Sequence, residues 1–181
     1  LEQPEIDLLA AHGCSVAHCP VSNLKLASGI APVTRLVRAG VRVGLGSDGA
    51  ASNNRLDMFR EMNHAALLAK GVSGDATALD AHQTLRMATL DGAAALGLER
   101  QIGSLVAGKQ ADLCAIRLDD LSLQPCYDPV AHLVHAAGRE YVSHVWVAGK
   151  PRVHEGQLCD FDAAELLDIA KMWQNKMLDG F

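Results

Sequence analysis

Asp48 is the residue whose setting most strongly suggests chemistry. It follows an apolar alternation at Val41, Val43 and Leu45, and glycines stand on both sides of it at positions 46 and 49. The alternation predicts a strand, and the glycines allow a sharp turn where that strand ends. Catalytic side chains of parallel α/β enzymes come from the carboxyl ends of strands. We therefore predict that Asp48 is a metal ligand and proton carrier, although an acid in such a turn can also serve only as a turn or cap residue.

A second group of candidates follows a shorter apolar run, residues 14–20, which also predicts a strand. His18 stands at its end and is expected either to line a substrate pocket or to bond neighbouring backbone. Asn23 is a further substrate-binding candidate, and together with Ser22 it is expected to shape a loop beside the site, since such side chains satisfy turn backbone groups.

Three other residues suggest chemistry that their surroundings do not support. Cys19 could be a thiol nucleophile, but Pro20 follows it and no orienting third group is apparent. His132 and His135 have a spacing that can bind metal on a helix, yet no acid or third ligand accompanies them. We interpret both histidines as packing or surface residues.

The order of predicted elements indicates a parallel α/β fold. Helix, strand, loop, helix and strand are expected at residues 4–13, 14–20, 21–29, 31–39 and 41–45. This rhythm is typical of βα units, which build parallel sheets. A helix over about 55–70, capped from residues 52–54, and one or two helices within 74–98 should follow. Their predicted core residues are Leu56, Phe59, Met62, Ala66, Leu67, Leu79, Leu85, Met87, Leu90 and Leu96.

Glycines at positions 103 and 108 mark a predicted domain boundary near residue 102. Beyond it, short strands at 112–118, 141–147 and 152–154 predict a small antiparallel sheet. A closing helix over 162–177 would carry an apolar stripe of Leu166, Leu167, Ala170 and Trp173. The predicted division is thus 1–101, 102–158 and 159–181.

Composition narrows the class of protein. The chain has 181 residues, 49% of them apolar, and a formal net charge of −5. Interspersed charges give no support to a nucleic-acid or membrane-surface partner, and no apolar run is long enough for a membrane span. The five cysteines are scattered without a C-x-x-C pair, which favours a reducing cytoplasm over a disulfide framework.

The chain begins with Leu1, and its first methionine is Met58. We therefore expect these residues to be the tail of a longer polypeptide. Two parallel strands alone would leave apolar surface that only neighbouring strands could cover.

Three motifs resemble the amidohydrolase superfamily: residues 18–26 (HCPVSNLKL), 44–54 (GLGSDGAASNN) and 102–113 (IGSLVAGKQADL). Within it they look most like the atrazine-chlorohydrolase-type branch. Residues 53–58 (NNRLDM), 127–129 (YDP) and 144–147 (HVWV) are similar to the subgroup of 5′-methylthioadenosine/S-adenosylhomocysteine deaminases.

The resemblance implies a metal-dependent (β/α)₈ TIM barrel with one divalent metal ion, most often Zn²⁺, beside a small β-sandwich. This chain would hold barrel strands 7 and 8 and part of the sandwich, without the family's histidine ligands. Asp48 would ligate the metal, contact the substrate and carry the proton toward departing ammonia.

The implied activity is hydrolytic deamination of a purine nucleoside such as methylthioadenosine or adenosylhomocysteine. A free purine base, as in guanine-type deaminases, and a substituted triazine are alternative small-molecule substrates, and a homo-oligomer is compatible with the sequence. In a different class, the 181 residues would be an inactive structural piece.

Overall fold

The computed structural model describes residues 1–180, which form a parallel strand pair with helices and a separate antiparallel sheet. The first half contains α1 (Gln3–Ala11), β1 (Ser15–His18), α2 (Pro20–Lys25), α3 (Val33–Arg38), β2 (Arg42–Leu45), α4 (Met58–Ser73), α5 (Ala81–Ala88) and α6 (Leu90–Ala95). The second half contains β3 (Leu113–Ile116), α7 (Pro129–His135), β4 (Val142–Val147), β5 (Lys150–His154), β6 (Gln157–Leu158) and α8 (Ala163–Leu178). Short 3₁₀ turns lie at Leu121–Leu123 and Arg139–Tyr141.

The predicted parallel pairing is confirmed. β1 and β2 run side by side with Ser15 opposite Arg42 and His18 opposite Leu45. The backbone amide of Gly46 donates to the carbonyl of His18 at 3.0 Å, just past the last pair. Both strands therefore end at one edge, where the loops that follow them meet.

Apolar packing fixes this strand pair against the helices. Ile6, Leu36 and Val43 are buried in one cluster, which joins α1 and α3 to β2. The same cluster includes Ala65 and Ala69 from α4. Burial at about 25 cal/mol per Å² of apolar surface is the main favourable contribution of such a core.

α2 corrects the prediction of a loop over residues 21–29. The helix starts with Pro20 in its first turn and bears Lys25 in its last turn. Pro20 is the last residue of the predicted strand 14–20, because proline cannot donate to a sheet. Proline is also favoured at the first helical position, since its φ is already helical and its missing N–H is not needed there. Val21 and Ser22 are both buried as a result.

α4 begins later than predicted, and its cap is Asp57 rather than residues 52–54. The Asp57 carboxylate accepts bonds from the backbone amides of Phe59 at 3.1 Å and Arg60 at 3.4 Å. Leu56 lies outside the helix with a φ of +48° and is exposed, so its predicted inward position is wrong. The helix ends at Gly74, whose φ of +65° suits glycine.

The core prediction is confirmed for four of the ten residues and wrong for three, Leu56 and two others. Met62, Ala66, Leu79 and Met87 are buried, and Phe59, Leu85 and Leu90 are half-buried. Leu67 and Leu96 are 54% and 74% exposed. In α4 the buried face instead runs along Met62, Ala65, Ala66 and Ala69.

The predicted antiparallel sheet is confirmed and has the order β3-β4-β5-β6. α7 packs against α4 and α5, which links this part of the chain to the helices around the parallel pair. α8 buries none of its residues, and Leu166, Leu167 and Trp173 of its apolar stripe are exposed. Among the helices that the structure describes, none is long and apolar enough to cross a membrane.

Candidate functional site

Asp48 lies three residues beyond β2, in the loop at the edge where both parallel strands end. Its backbone has a φ of +59°, and its side chain is exposed. The hydroxyls of Ser22 and Ser52 each donate to Oδ2 at 2.7 Å. These bonds, together with a backbone bond from Gly49, hold the pKa of the Asp48 carboxyl below its ordinary value.

Ser22 reaches Asp48 because α2 begins directly after β1. The first turn of α2 turns Ser22 inward, where it is 2% exposed. A second connection joins α2 to the loop after β2 at the surface. The Lys25 ammonium donates to the carbonyl of Ala51 at 2.6 Å and to Oδ1 of Asn54 at 2.7 Å. The loops after the two strands are therefore held together at several points.

Beneath Asp48 lies a fully buried carboxylate that the sequence reasoning missed. Glu61 of α4 is 0% exposed, accepts from the backbone amide of Val21 at 3.1 Å and accepts from Nδ2 of Asn53 at 2.5 Å. A signal for it exists in the sequence: Glu61 is four and eight residues before Ala65 and Ala69, on the buried face of the helix. A charged residue in line with such a stripe is unusual unless it has partners.

His18 is buried behind the loops. It is 3% exposed, and burial lowers its pKa to about 4, because the charged ring is poorly solvated there. Its Nδ1 atom has no hydrogen-bond partner among residues 1–180. Cys19 is half-buried, and burial is the main cause that raises its thiol pKa, which does not favour a thiolate nucleophile.

The remaining candidates lie apart from Asp48. Asn23 is half-buried in α2, and among the described side chains no hydrogen bond joins it to Asp48. His132 and His135 are on α7, where Nδ1 of His132 lies 3.1 Å from the carbonyl of Asp128 and His135 is exposed. Ser52, which the sequence reasoning did not select, is a direct partner of Asp48.

The side chains present do not make a metal site by themselves. Residues 1–180 contain no group of three or more His, Cys, Asp or Glu side chains that could hold a metal ion. Asp48 is exposed and keeps a hydrogen-bonded carboxylate, which is the form that ligates metals. It could supply one ligand, but not a coordination shell.

Residues 1–152 match the amidohydrolase family, and the chain belongs to that family. A relative from Teredinibacter turnerae called 5-methylthioadenosine/S-adenosylhomocysteine deaminase is 52% identical over 173 residues, which are 96% of this chain and 39% of the relative. The chain thus spans about two fifths of the length of the curated relatives that it matches.

Solved structures show the same likeness. An adenosine deaminase from Xanthomonas campestris with bound zinc superimposes with a TM-score of 0.94 at 52% identity, over 97% of this chain and 40% of that one. An atrazine chlorohydrolase from Arthrobacter aurescens, complexed with zinc, gives a TM-score of 0.88 at 28% identity, over 95% and 38% of the two chains. The expected resemblance to the superfamily and to its atrazine-chlorohydrolase-type branch is confirmed.

Proposed function

We propose that this chain is the C-terminal part of a metal-dependent aminohydrolase that deaminates a purine nucleoside such as 5′-methylthioadenosine or S-adenosylhomocysteine. The observation that carries the proposal is Asp48, a carboxylate held by two hydroxyls at the edge where both parallel strands end. The family match and the deaminase names of the 52% identical relatives support the reaction class.

In this proposal β1 and β2 are strands 7 and 8 of a (β/α)₈ barrel, and β3 to β6 form part of a small β-sandwich. Their observed parallel and antiparallel pairings fit those roles. Side chains from the rest of the barrel would complete the coordination of one divalent metal ion, and the zinc in the two solved neighbours favours Zn²⁺.

A bound zinc ion with an open coordination position would lower the pKa of its water to about 7 and so supply hydroxide at neutral pH. Asp48 contributes a carboxylate that is ionised at that pH, because its pKa lies below the ordinary value. It can pass one proton of the attacking water to the amino group, which leaves as ammonia. The other water proton ends on the adjacent ring nitrogen, as the ring carbon becomes a carbonyl. Ser22 and Ser52 keep Oδ2 in place during both transfers.

The first test is Asp48→Asn in the longer protein that contains these residues. We expect ammonia release from methylthioadenosine to fall by about 10²-fold or more, since an amide cannot carry the proton. Asp119→Asn is a matched control at an exposed acid and should retain full activity. Ammonia release by Asp48→Asn at the wild-type rate would refute the role of Asp48.

The likeness to the atrazine chlorohydrolase favours a second candidate substrate, a substituted triazine. A free purine base is the further alternative that the sequence left open. Initial rates on methylthioadenosine, adenosylhomocysteine, guanine and atrazine would separate these substrates. The 181-residue chain alone should be inactive and bind no stoichiometric zinc, because it lacks a group of three ligands among its described residues. Saturable turnover by that chain would contradict this expectation.

A further inference from the structure

The buried carboxylate of Glu61 connects the first turn of α2 to the loop that carries Asp48. Oε2 accepts from the backbone amide of Val21, and Oε1 accepts from Nδ2 of Asn53. Val21 lies in the first turn of α2, just after β1, and Asn53 lies in the loop after β2. One side chain of α4 therefore bonds the segments that follow both strands. Glu61 itself is 0% exposed and Asn53 is 1% exposed, so water cannot easily replace either contact.

Each partner of Glu61 is connected to Asp48 through one further residue. Val21 precedes Ser22, whose hydroxyl donates to Oδ2 of Asp48 at 2.7 Å. Asn53 Nδ2 also donates to the carbonyl of Ser47, the residue before Asp48, at 2.9 Å. The bonds and the short chain segments between them form a closed ring, which we call the Glu61 ring: Glu61, Val21, Ser22, Asp48, Ser47 and Asn53.

We propose that Glu61 is a positioning residue that fixes the Asp48 carboxylate through the Glu61 ring. The inference rests on the proposed function, since it assigns Asp48 the task of metal ligation and proton transfer. Only a carboxylate suits the central position, because both of its oxygens receive N–H donors and neither can be replaced by a donor. The apolar face of α4 holds its backbone, so the ring is tied to the core.

Glutamine at position 61 has nearly the shape of glutamate, but it places a hydrogen-bond donor where one of the two carboxylate acceptors was. The new amide nitrogen would face either Asn53 Nδ2 or the Val21 amide, and in both cases two donors oppose each other. Asn53 cannot resolve this by rotating its amide, because its Oδ1 already accepts from the backbone amides of Arg55 at 3.4 Å and Leu56 at 3.3 Å. The loop that carries Asp48 must therefore shift.

The double variant Asn53→Asp with Glu61→Gln restores a hydrogen bond between positions 53 and 61, with donor and acceptor exchanged. The new amide nitrogen at position 61 would then donate to the new carboxylate at position 53, while the amide oxygen accepts from Val21. The bond from position 53 to the Ser47 carbonyl, which Glu61→Gln keeps, is lost in the double variant, because a carboxylate cannot donate. Met62→Ala is the matched destabilised control, since Met62 is buried in α4 but packs in a cluster with Ala66 and Val134.

The experiment compares these variants in the longer protein, with zinc affinity from chelator competition, kcat and KM for methylthioadenosine, and Tm. For Glu61→Gln we expect zinc affinity and kcat each to fall about 10-fold, which is typical of changes outside the ligands themselves, while KM changes less. The double variant should recover to about 3-fold below wild type. Met62→Ala should lower Tm and leave zinc affinity and kcat within about 2-fold.

Three results would overturn the inference. Glu61→Gln with wild-type zinc affinity and kcat shows that the ring does not position Asp48, and so does a Met62→Ala variant with the same losses as Glu61→Gln. If Glu61→Gln does not fold, the double variant is the test. It lacks the ring's bond to the Ser47 carbonyl, so a double variant with the zinc affinity of the wild type contradicts the proposal. A wild-type protein without zinc or ammonia release refutes the proposed function instead, and the inference falls with it.

Discussion

Acidification should destabilise this chain through His18. Burial lowers the pKa of the folded ring to about 4, whereas an unfolded histidine titrates near 6.5. As pH falls below 6.5, His18 becomes protonated in the unfolded chain, whereas in the folded chain it stays neutral until about pH 4. Stability is therefore lost between these two values, and a pKa that falls from 6.5 to about 4 corresponds to roughly 3 kcal/mol.

Urea denaturation of the 181-residue chain at pH 7, 5.5 and 4 measures this loss. His18→Gln is the control, because it removes the titrating ring and leaves the other seven histidines of the chain in place. We expect the variant to be less stable at pH 7 but to lose about 3 kcal/mol less than the wild type between pH 7 and pH 4. Equal losses in the two proteins would refute the argument and would mean that the folded ring accepts its proton as readily as the unfolded one.

Two further predictions concern the elements around the site. Gly44→Ala should destabilise the chain by about 1 to 3 kcal/mol, because its Cβ would lie 2.8 Å from a backbone Cα of α6. Gly71→Ala, which meets open space within α4, should instead raise the free energy of unfolding in urea by up to about 1 kcal/mol. A destabilised Gly71→Ala would contradict this contrast. Asp57→Ala should cost about 1 kcal/mol in the same assay, since it removes the α4 cap. Asn54→Ala should stay within about 0.5 kcal/mol, as is usual for surface changes, whereas a larger loss there than at Asp57 would favour the cap predicted from sequence.

Sequence patterns predicted the elements whose signals are local. The parallel pair followed from two apolar runs separated by helix signals. α2 was missed because its six residues show no apolar period, and because Pro20 was interpreted only as the end of the strand before it. The proposed division at residues 102 and 159 stays a prediction.

The cap of α4 was misplaced for a reason that only the loop geometry shows. Asn53 uses its side chain to satisfy the backbone amides of Arg55 and Leu56, so the chain continues to turn before the helix begins. These bonds, to the amides two and three residues on, are of the kind that an N-cap makes, but Leu56 has a φ of +48°, so the chain cannot continue as a helix from Asn53. Asp57 is the first residue beyond that turn with an extended backbone and a suitable side chain.

The environment of Asp48 was only partly accessible from sequence. Its place after a strand among glycines made Asp48 a candidate, a role that stays a prediction, and Ser22 was expected nearby. The roles of Ser52 and Glu61 depend on how the loops fold, since Glu61 bonds a backbone amide 40 residues earlier in the chain. Hydrogen bonds of such sequence separation have no local signature, so a charged residue on an apolar helix face is the only clue they leave.

The backbone of Asp48 explains why so many bonds converge on one exposed side chain. A φ of +59° is left-handed, a conformation that costs most residues free energy and that aspartate tolerates better than bulkier side chains. Such a conformation persists only where its surroundings impose it. Here the Ser22 and Ser52 hydroxyls and the Glu61 ring impose it, and the result is a carboxylate turned toward α2. A glycine at position 48 would relieve the backbone cost but remove the carboxylate, and with it the metal ligation and proton transfer that we propose for this residue.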